Sequence, residues 1–514
     1  MPSLAHFLCL LLALAIVWRL LQSKRNLKPL PPGPKGWPLI GNVFDMPVSH
    51  QWKTFTEWGQ KWGDITSVTV LGQPVIVLNS AAYMSSLLEK HSSASSDRLS
   101  LVVAQNMVGW DRIGVLENHD SQNLKDVRRL MAKHIGTRYT VASHSDLLEQ
   151  EVSRFVARVG RNPERLIEEV RRNAGAIILN LTYGYHVELD EDPMLKVADE
   201  AMQSFSMLTA PGAFIVDFLP LLKYVPAWCP GTQWKAVAKR AKLLADAMFN
   251  EPFALTKKQV AEGSALPSMV LKHLQSNPTL EQEMAIKNAA AAMYAGGSDT
   301  TVSAVCSFFL AMMCYPEVQE KARQELDFVI GEDRLPRLSD RDKLPYVHAI
   351  CLEALRWNPV LPSGFPHRLS EDVTFEGYFL PKGSVVIANV WKTLHDPEVH
   401  RDPFAFKPER FLADGSGLQP EPDPRNSVFG FGRRICPGMH LAEATIFLVC
   451  AMSLAVFDIA KPVEDGSIVD PDIEYTSGTL SHPRPFKCTI KPRSEKANAL
   501  LQALTNMSIT QGTA

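Results

Sequence analysis

The segment Phe429-Gly430-Phe431-Gly432-Arg433-Arg434-Ile435-Cys436-Pro437-Gly438 constrains this chain more than any other, because it sets a cysteine in a glycine-rich loop that opens directly into an apolar helix from about Met439 to Phe457. Backbone N–H groups and the helix dipole favour an anion at such a place, so the thiolate form of Cys436 is stabilised. Gly432 and Gly438 allow tight turns and close approach of a flat ligand. Arg434 offers a planar donor fork to a carboxylate. The other cysteines, at 9, 229, 306, 314, 351, 450 and 488, sit singly with no C-x-x-C pair. They read as ordinary buried thiols in a reducing compartment, not as a disulfide framework.

Such a loop needs a large core around it. The 514 residues, 46% hydrophobic and 21% charged, can supply one. A net charge of −2 gives no global attraction for nucleic acid, so none is expected, and a charged partner must be met by a local patch.

At the other end, Leu4 to Leu21 is an 18-residue run with eleven Leu, Ile, Val or Phe. Insertion into a bilayer gains roughly 3 to 6 kcal/mol, and Arg19, at the end of the run, can snorkel to the interface. A cleaved signal peptide would carry its charges before the apolar run. Here Arg19, Lys24, Arg25 and Lys28 follow it. The expectation is one uncleaved transmembrane anchor over 1–22, with the remainder cytoplasmic by the positive-inside rule. The sequons at Asn180 and Asn506 should then carry no glycan.

A proline-rich hinge over 23–42 reads as a stiff spacer. Ile65 to Leu78 has β-branched alternation around Gly72-Gln73-Pro74, a hairpin signal. From about 120 to 360 the chain reads as amphipathic helices, with a long apolar one over 284–314. A β-rich zone spans 372–390, an irregular Pro/Gly-rich stretch 403–428, and short strands 473–491. The fold class is mainly α with a small β region: one domain over 43–494, then a tail over 495–514.

Further motifs accompany the cysteine loop. Ala295-Gly296-Gly297-Ser298-Asp299-Thr300-Thr301 interrupts the apolar helix, Glu353-Ala354-Leu355-Arg356 sits on another helix, and Pro408-Glu409-Arg410-Phe411 precedes the loop. The loop matches F-x-x-G-x-R-x-C-x-G, whose five fixed residues arise by chance on the order of once in 10⁴ such chains. Together these resemble the cytochrome P450 family in its own order, over nearly the whole chain. Met107-Val108-Gly109-Trp110-Asp111 and Ser481-His482-Pro483 are similar to fungal microsomal members, the O-methylsterigmatocystin oxidoreductase-like monooxygenases that oxidise polyketide, terpenoid or alkaloid metabolites.

The resemblance implies a haem whose iron is held by Cys436, with Arg128, Arg368, Phe429, Arg434 and Gly438 around it. Arg128 ends the family's W-x-x-x-R, but Leu124 stands where the tryptophan is usual, so one propionate hydrogen bond is in doubt. Asp299 and Thr300 match the acid and hydroxyl that deliver protons to iron-bound oxygen; by composition alone the same residues suit a helix crossing with the threonine bonded back to its own helix. Glu353, Arg356 and Arg410 match a buried structural triad. Phe205, Val360, Leu361 and Leu480 match pocket positions. Phe205–Trp228, rich in apolar residues and prolines, resembles a lid that dips toward the membrane, and reads equally as ordinary core.

The implied activity is oxidation of a lipophilic small molecule with O2 and electrons from NADPH, delivered by NADPH–cytochrome P450 reductase and in some systems cytochrome b5, at the endoplasmic reticulum membrane. Lys125, Arg128, Arg129, Lys133 and Arg138, against a single Asp126, would meet an acidic donor, and also read as a solvated helix face. The alternatives left open are a haem-thiolate isomerase or dehydratase, and a non-catalytic haem-binding membrane protein.

Overall fold

The computed structural model describes residues 29–188, 191–413 and 419–511, with side chains to 506. The expected anchor over 1–22 and the first residues of the hinge lie outside the described residues.

The helices that build the site follow from their sequences. In chain order the longer ones are α1 (Gln51–Trp62), α2 (Gln122–Ile135), α3 (Ser145–Arg161), α4 (Leu166–Tyr183), α5 (Pro193–Thr209), α6 (Trp234–Glu262), α7 (Leu280–Ser298), α8 (Thr300–Cys314), α9 (Pro316–Val329), α10 (Pro345–Trp357), α11 (Met439–Val456) and α12 (Glu495–Gln511). In α2 the helical spacing of Leu124, Val127, Leu130 and Met131 buries one face, leaving Lys125, Arg129 and Lys133 outside. Thr279 and Gln282 cap α7 reciprocally. α8 and α11 are apolar on every side and are the central core helices. The stretch Leu280–Cys314 and α11 are each long and apolar enough to cross a membrane, but in each 78% of the apolar 18-residue window is buried inside the protein.

The long helix expected over 284–314 is therefore two. The break is Asp299, at φ −127° and ψ −36°, and its carboxylate bonds to other elements instead of capping α8.

The β region is a five-stranded sheet in the order β1-β2-β7-β4-β3 and small two-stranded pairs. β1 (Ile65–Val70) and β2 (Gln73–Leu78) form the expected hairpin. Its turn is Leu71-Gly72, both at positive φ (49° and 89°), as a two-residue hairpin turn requires. Gln73 and Pro74, which the sequence reading put in the turn, are already paired in β2. β3 (Asp97–Arg98) and β4 (His367–Arg368) are short; β5 (Val373–Phe375) pairs with β6 (Tyr378–Leu380), and β7 (Val385–Ala388) runs parallel to β2. β3 and β4 are in register as Asp97 opposite Arg368 and Arg98 opposite His367. Because adjacent residues of a strand point to opposite faces, these two pairs look in opposite directions.

Two expected appendages are docked. The proline stretch lies along the sheet: Pro29 O accepts from Phe379 N–H (3.0 Å), and Pro32 O from Ser67 N–H (2.9 Å). The close approach needs Gly33, whose added Cβ would lie 1.9 Å from Ser67 O. The segment after 494 is α12, packed on α3 with Ala497 and Leu501 buried. Of the strands expected over 473–491, Thr489–Pro492 forms, pairing with Phe457–Ala460, together with one bridge between Tyr475 and Pro483.

Candidate functional site

A cavity of about 310 Å³ lies between α2, the α7–α8 junction, the start of α11 and the sheet, and Cys436 is in its wall. The loop before α11 closes on itself where Cys436 N–H donates to Phe429 O at 2.7 Å. Gly432 is obligatory there: its φ is +52°, and a Cβ would meet Leu88 O at 2.5 Å. An added Cβ at Gly438 would stand 3.9 Å from Cys436 Sγ, crowding whatever approaches the sulfur. Cys436 has open surface although protein surrounds it, so that surface is cavity wall. Burial pushes its thiol up, while N–H groups of Gly438 and Met439 and the charge of Arg128 oppose this. Those donors favour the thiolate once a cation shares the cavity.

Three arginines line the same cavity from three directions: Arg98 from β3, Arg128 from α2 and Arg434 from the loop. Each bonds only to carbonyls. Arg98 donates to Val115, Phe365 and Pro366, Arg128 to Ile435 at 2.9 Å, and Arg434 to Ser96 and Glu117. None has a carboxylate partner among the described residues. Burial, then the neighbouring arginines, push Arg98 well below its usual value and Arg434 to about 10. A buried cluster of like charges with no counter-ion is costly, and it is relieved by an anionic ligand with carboxylates at one edge. A sulfur donor in the wall of a mostly apolar cavity that also takes in three arginines fits a haem.

Of the expected cofactor residues, Arg128, Phe429, Arg434, Cys436 and Gly438 line the cavity, and Arg368 does not. Strand alternation sends Arg368 to the far face of the sheet, 4.0 Å from Asp97, and puts His367 on the cavity side with Arg98. His367 Nδ1–H donates to Ser95 O (2.7 Å), and burial followed by the charge of Arg98 pushes the ring well below the usual histidine value. Arg98 was absent from the sequence reading. It sits in a two-residue strand with no periodicity, and only the pairing with His367 reveals its direction. Leu124 also lines the cavity, so an apolar side chain stands where a donor was in question.

Opposite the sulfur, Thr300 and Thr301 face the cavity, and Thr300 Oγ1 donates to Gly296 O at 2.6 Å. The two glycines divide their work. A Cβ at Gly296 would meet nothing within 4 Å, whereas one at Gly297 would strike Ile178 Cγ1 of α4 at 2.8 Å. One keeps the cavity open and the other permits a helix crossing. Asp299 points away from the cavity, where Arg171 Nη1 (3.3 Å) and His482 Nε2 (3.1 Å) hold its two oxygens. Phe205, Val360, Leu361 and Leu480 all line the cavity, joined by Trp110, whose ring packs 4.7 Å from that of Phe205.

The expected triad is assembled away from the cavity. Arg356 donates to both oxygens of Glu353 (2.6 and 2.9 Å), and Arg410 Nε donates to Glu353 Oε1 at 3.1 Å. Arg356 also holds the carbonyls of Leu394, Pro403 and Ala405, and Arg410 is paired with Glu421 at 2.6 Å.

The Phe205–Trp228 stretch is not core throughout. Leu221, Tyr224 and Trp228 are exposed, as are Trp37, Phe44 and Val48. Phe218 of this stretch, and Val43 and Met46 beside Phe44, pack against the same core cluster, around Phe55 and Trp58.

The family model described as Cytochrome P450 matches residues 31–490. The chain is 53% identical over 494 residues to Cytochrome P450 monooxygenase 208 of Postia placenta, covering 96% of this chain and 95% of that protein. It is 41% identical over 475 residues to Cytochrome P450 monooxygenase claR of Ampulloclitocybe clavipes, covering 92% and 88%. To Cytochrome P450 monooxygenase ppsD of Aspergillus oryzae it is 37% identical over 504 residues, covering 97% and 95%.

Proposed function

This chain belongs to the cytochrome P450 family, haem-thiolate monooxygenases that draw electrons from a redox partner, and from that premise we propose that Cys436 is its iron ligand and that it oxidises a lipophilic small molecule of fungal secondary metabolism. One observation carries the reading: Cys436 and Thr300 line one mostly apolar cavity together with Arg98, Arg128 and Arg434, none of them ion-paired with a carboxylate among the described residues.

A haem held by Cys436 would supply the redox chemistry with O2. The chain's residues do the rest. N–H donors of Gly438 and Met439 hold the charge on Cys436. Arg98, Arg128 and Arg434 neutralise the propionates, with His367 beside them. Trp110, Ile178, Phe205, Leu361 and Leu480 exclude water and orient an apolar substrate. Thr300 Oγ1, fixed by Gly296 O, holds a proton at the cavity wall, and Asp299 supplies the next one. Glu353, Arg356 and Arg410 brace the loop and take no part in chemistry.

The exposed lysines and arginines of α2 lie on the Cys436 side of the cavity, which suits an acidic flavoprotein, NADPH–cytochrome P450 reductase, with cytochrome b5 as an additional donor. The exposed apolar residues Trp37, Phe44, Leu221, Tyr224 and Trp228 suit a membrane, and with the apolar N-terminal run support a single-pass protein of the endoplasmic reticulum.

The test is spectroscopic and then catalytic. Microsomes containing the protein should show, when reduced with carbon monoxide, the red-shifted Soret band of a thiolate-ligated haem, and Cys436→Ser should abolish it. With reductase, product should form only with NADPH and O2. Turnover without either would replace this reading by an isomerase or dehydratase.

A further inference from the structure

Asp299 is 5% exposed and faces away from the cavity, so a proton it gives toward Thr300 must be replaced from elsewhere. Three side chains bear on it. Arg171 of α4 holds Oδ1 and is shared with Asp199 of α5. Cys306, buried beside them, has its thiol pushed up to about 12 by burial and remains neutral. His482, on the loop after Leu480, holds Oδ2 at 3.1 Å. Arg171 and a neutral thiol do not exchange protons at working pH, whereas an imidazole accepts at one nitrogen and donates at the other.

His482 is also placed to reach water. Its side chain is 17% exposed against 7% for Asp299, and among the described residues Nδ1 has no hydrogen-bond partner. Its loop is pinned on both sides. Ser481 N–H donates to Val360 O (2.9 Å), Ser303 Oγ donates to Ser481 O (2.5 Å), and His482 N–H donates to Thr476 Oγ1 (2.9 Å). The ring is therefore held against the acid by the backbone, independently of the Asp299 contact.

We propose that His482 is the port through which solvent protons reach Asp299. A proton taken up at Nδ1 and another released from Nε2 to Asp299 Oδ2 leave the charge of the ring unchanged; with the ring turned toward water, Nε2 gains a proton and Nδ1 loses one, which restores the starting tautomer. No electron moves. His482 touches neither haem nor substrate; it is a positioning residue that acts through Asp299. The inference rests on the reading of Asp299 and Thr300 as the proton path.

The experiment compares His482→Gln and His482→Ala with Asp299→Asn and Thr300→Ala, all as holoenzyme with reductase. Gln can still donate to Asp299 but cannot carry a proton through itself. For both His482 variants, product formed per NADPH consumed should fall roughly tenfold and the solvent isotope effect should rise, with haem content and the substrate-induced Soret shift unchanged. The carboxylic C=O infrared band of Asp299, assigned through Asp299→Asn, should titrate at higher pH in His482→Ala, because burial then acts on the acid with less opposition. If Gln restores full coupling, His482 is only an anchor and the port is refuted. If both His482 variants match wild type while Asp299→Asn and Thr300→Ala uncouple, the proton path stands and the port is refuted. If none of the four uncouples, the proton-path reading fails first.

Discussion

Two sets of buried arginines lie in this domain, and they are built in opposite ways. Arg356 and Arg410 meet Glu353 and Glu421, and almost every N–H left over finds a carbonyl. Arg98, Arg128 and Arg434 meet carbonyls alone, and after burial the charge of Arg128 lowers the proton affinity of the other two. A buried charge whose counter-ion is in the chain is architecture; one whose counter-ion is missing marks a bound anion. Burial is common to both and distinguishes neither.

Four substitutions can break or sharpen that contrast. Arg356→Ala takes from buried Glu353 its two-pronged partner, leaving it Arg410 alone, and strips the Leu394, Pro403 and Ala405 carbonyls of a donor. It should cost about 3–5 kcal/mol and yield protein without haem; urea unfolding and haem content measure it, and a normal haem content would erase the distinction. Arg98→Met should act the other way. Apoprotein stability should hold or rise, while haem passes to an acceptor protein about tenfold faster or more, since a charged hydrogen bond contributes about 1.5–3 kcal/mol. A loss of apoprotein stability equal to that of Arg356→Ala would put both clusters in one class. Leu124→Trp adds an N–H donor at the cavity wall and should slow haem loss a few-fold, about 0.5–1.5 kcal/mol; faster loss would show that the leucine is required for packing.

The smallest effect concerns pH. Burial raises Glu421, but hydrogen bonds from Arg410 and His400 outweigh it and hold the carboxyl below its usual range. Its folded-state value is thus the lower one. The stabilisation is present above the unfolded value and is lost as pH falls through the folded value. Melting temperatures measured from pH 7 downward should decline less steeply in Glu421→Gln than in wild type, and Arg98→Met should leave the slope as it is.

Much of this was legible before any coordinates. The Cys436 loop, the Glu353/Arg356/Arg410 motifs and the Thr300 segment are local patterns in which residue type and spacing carry the chemistry. What escaped depends on long-range pairing. Arg368 was expected at the cavity and His367 was passed over because strand register, which decides the face, was unknown. Arg98 became visible only through its partner strand some 270 residues away. At the split of the long helix, Asp299 bonds to His482, which lies 183 residues further on. The exposed apolar surface at 37–48 and 214–228 could not be told from core by composition, because lids and cores use the same residues.

The parallel pairing of β2 with β7 has a consequence for how the protein is made. β2 ends at Leu78 and its partner begins at Val385, so at 5–20 residues per second a ribosome leaves that edge unpaired for roughly 15 to 60 s. The sulfur at 436 emerges later still. Cofactor capture must therefore follow release of nearly the whole polypeptide, and until then an unfinished sheet edge stands open to wrong partners.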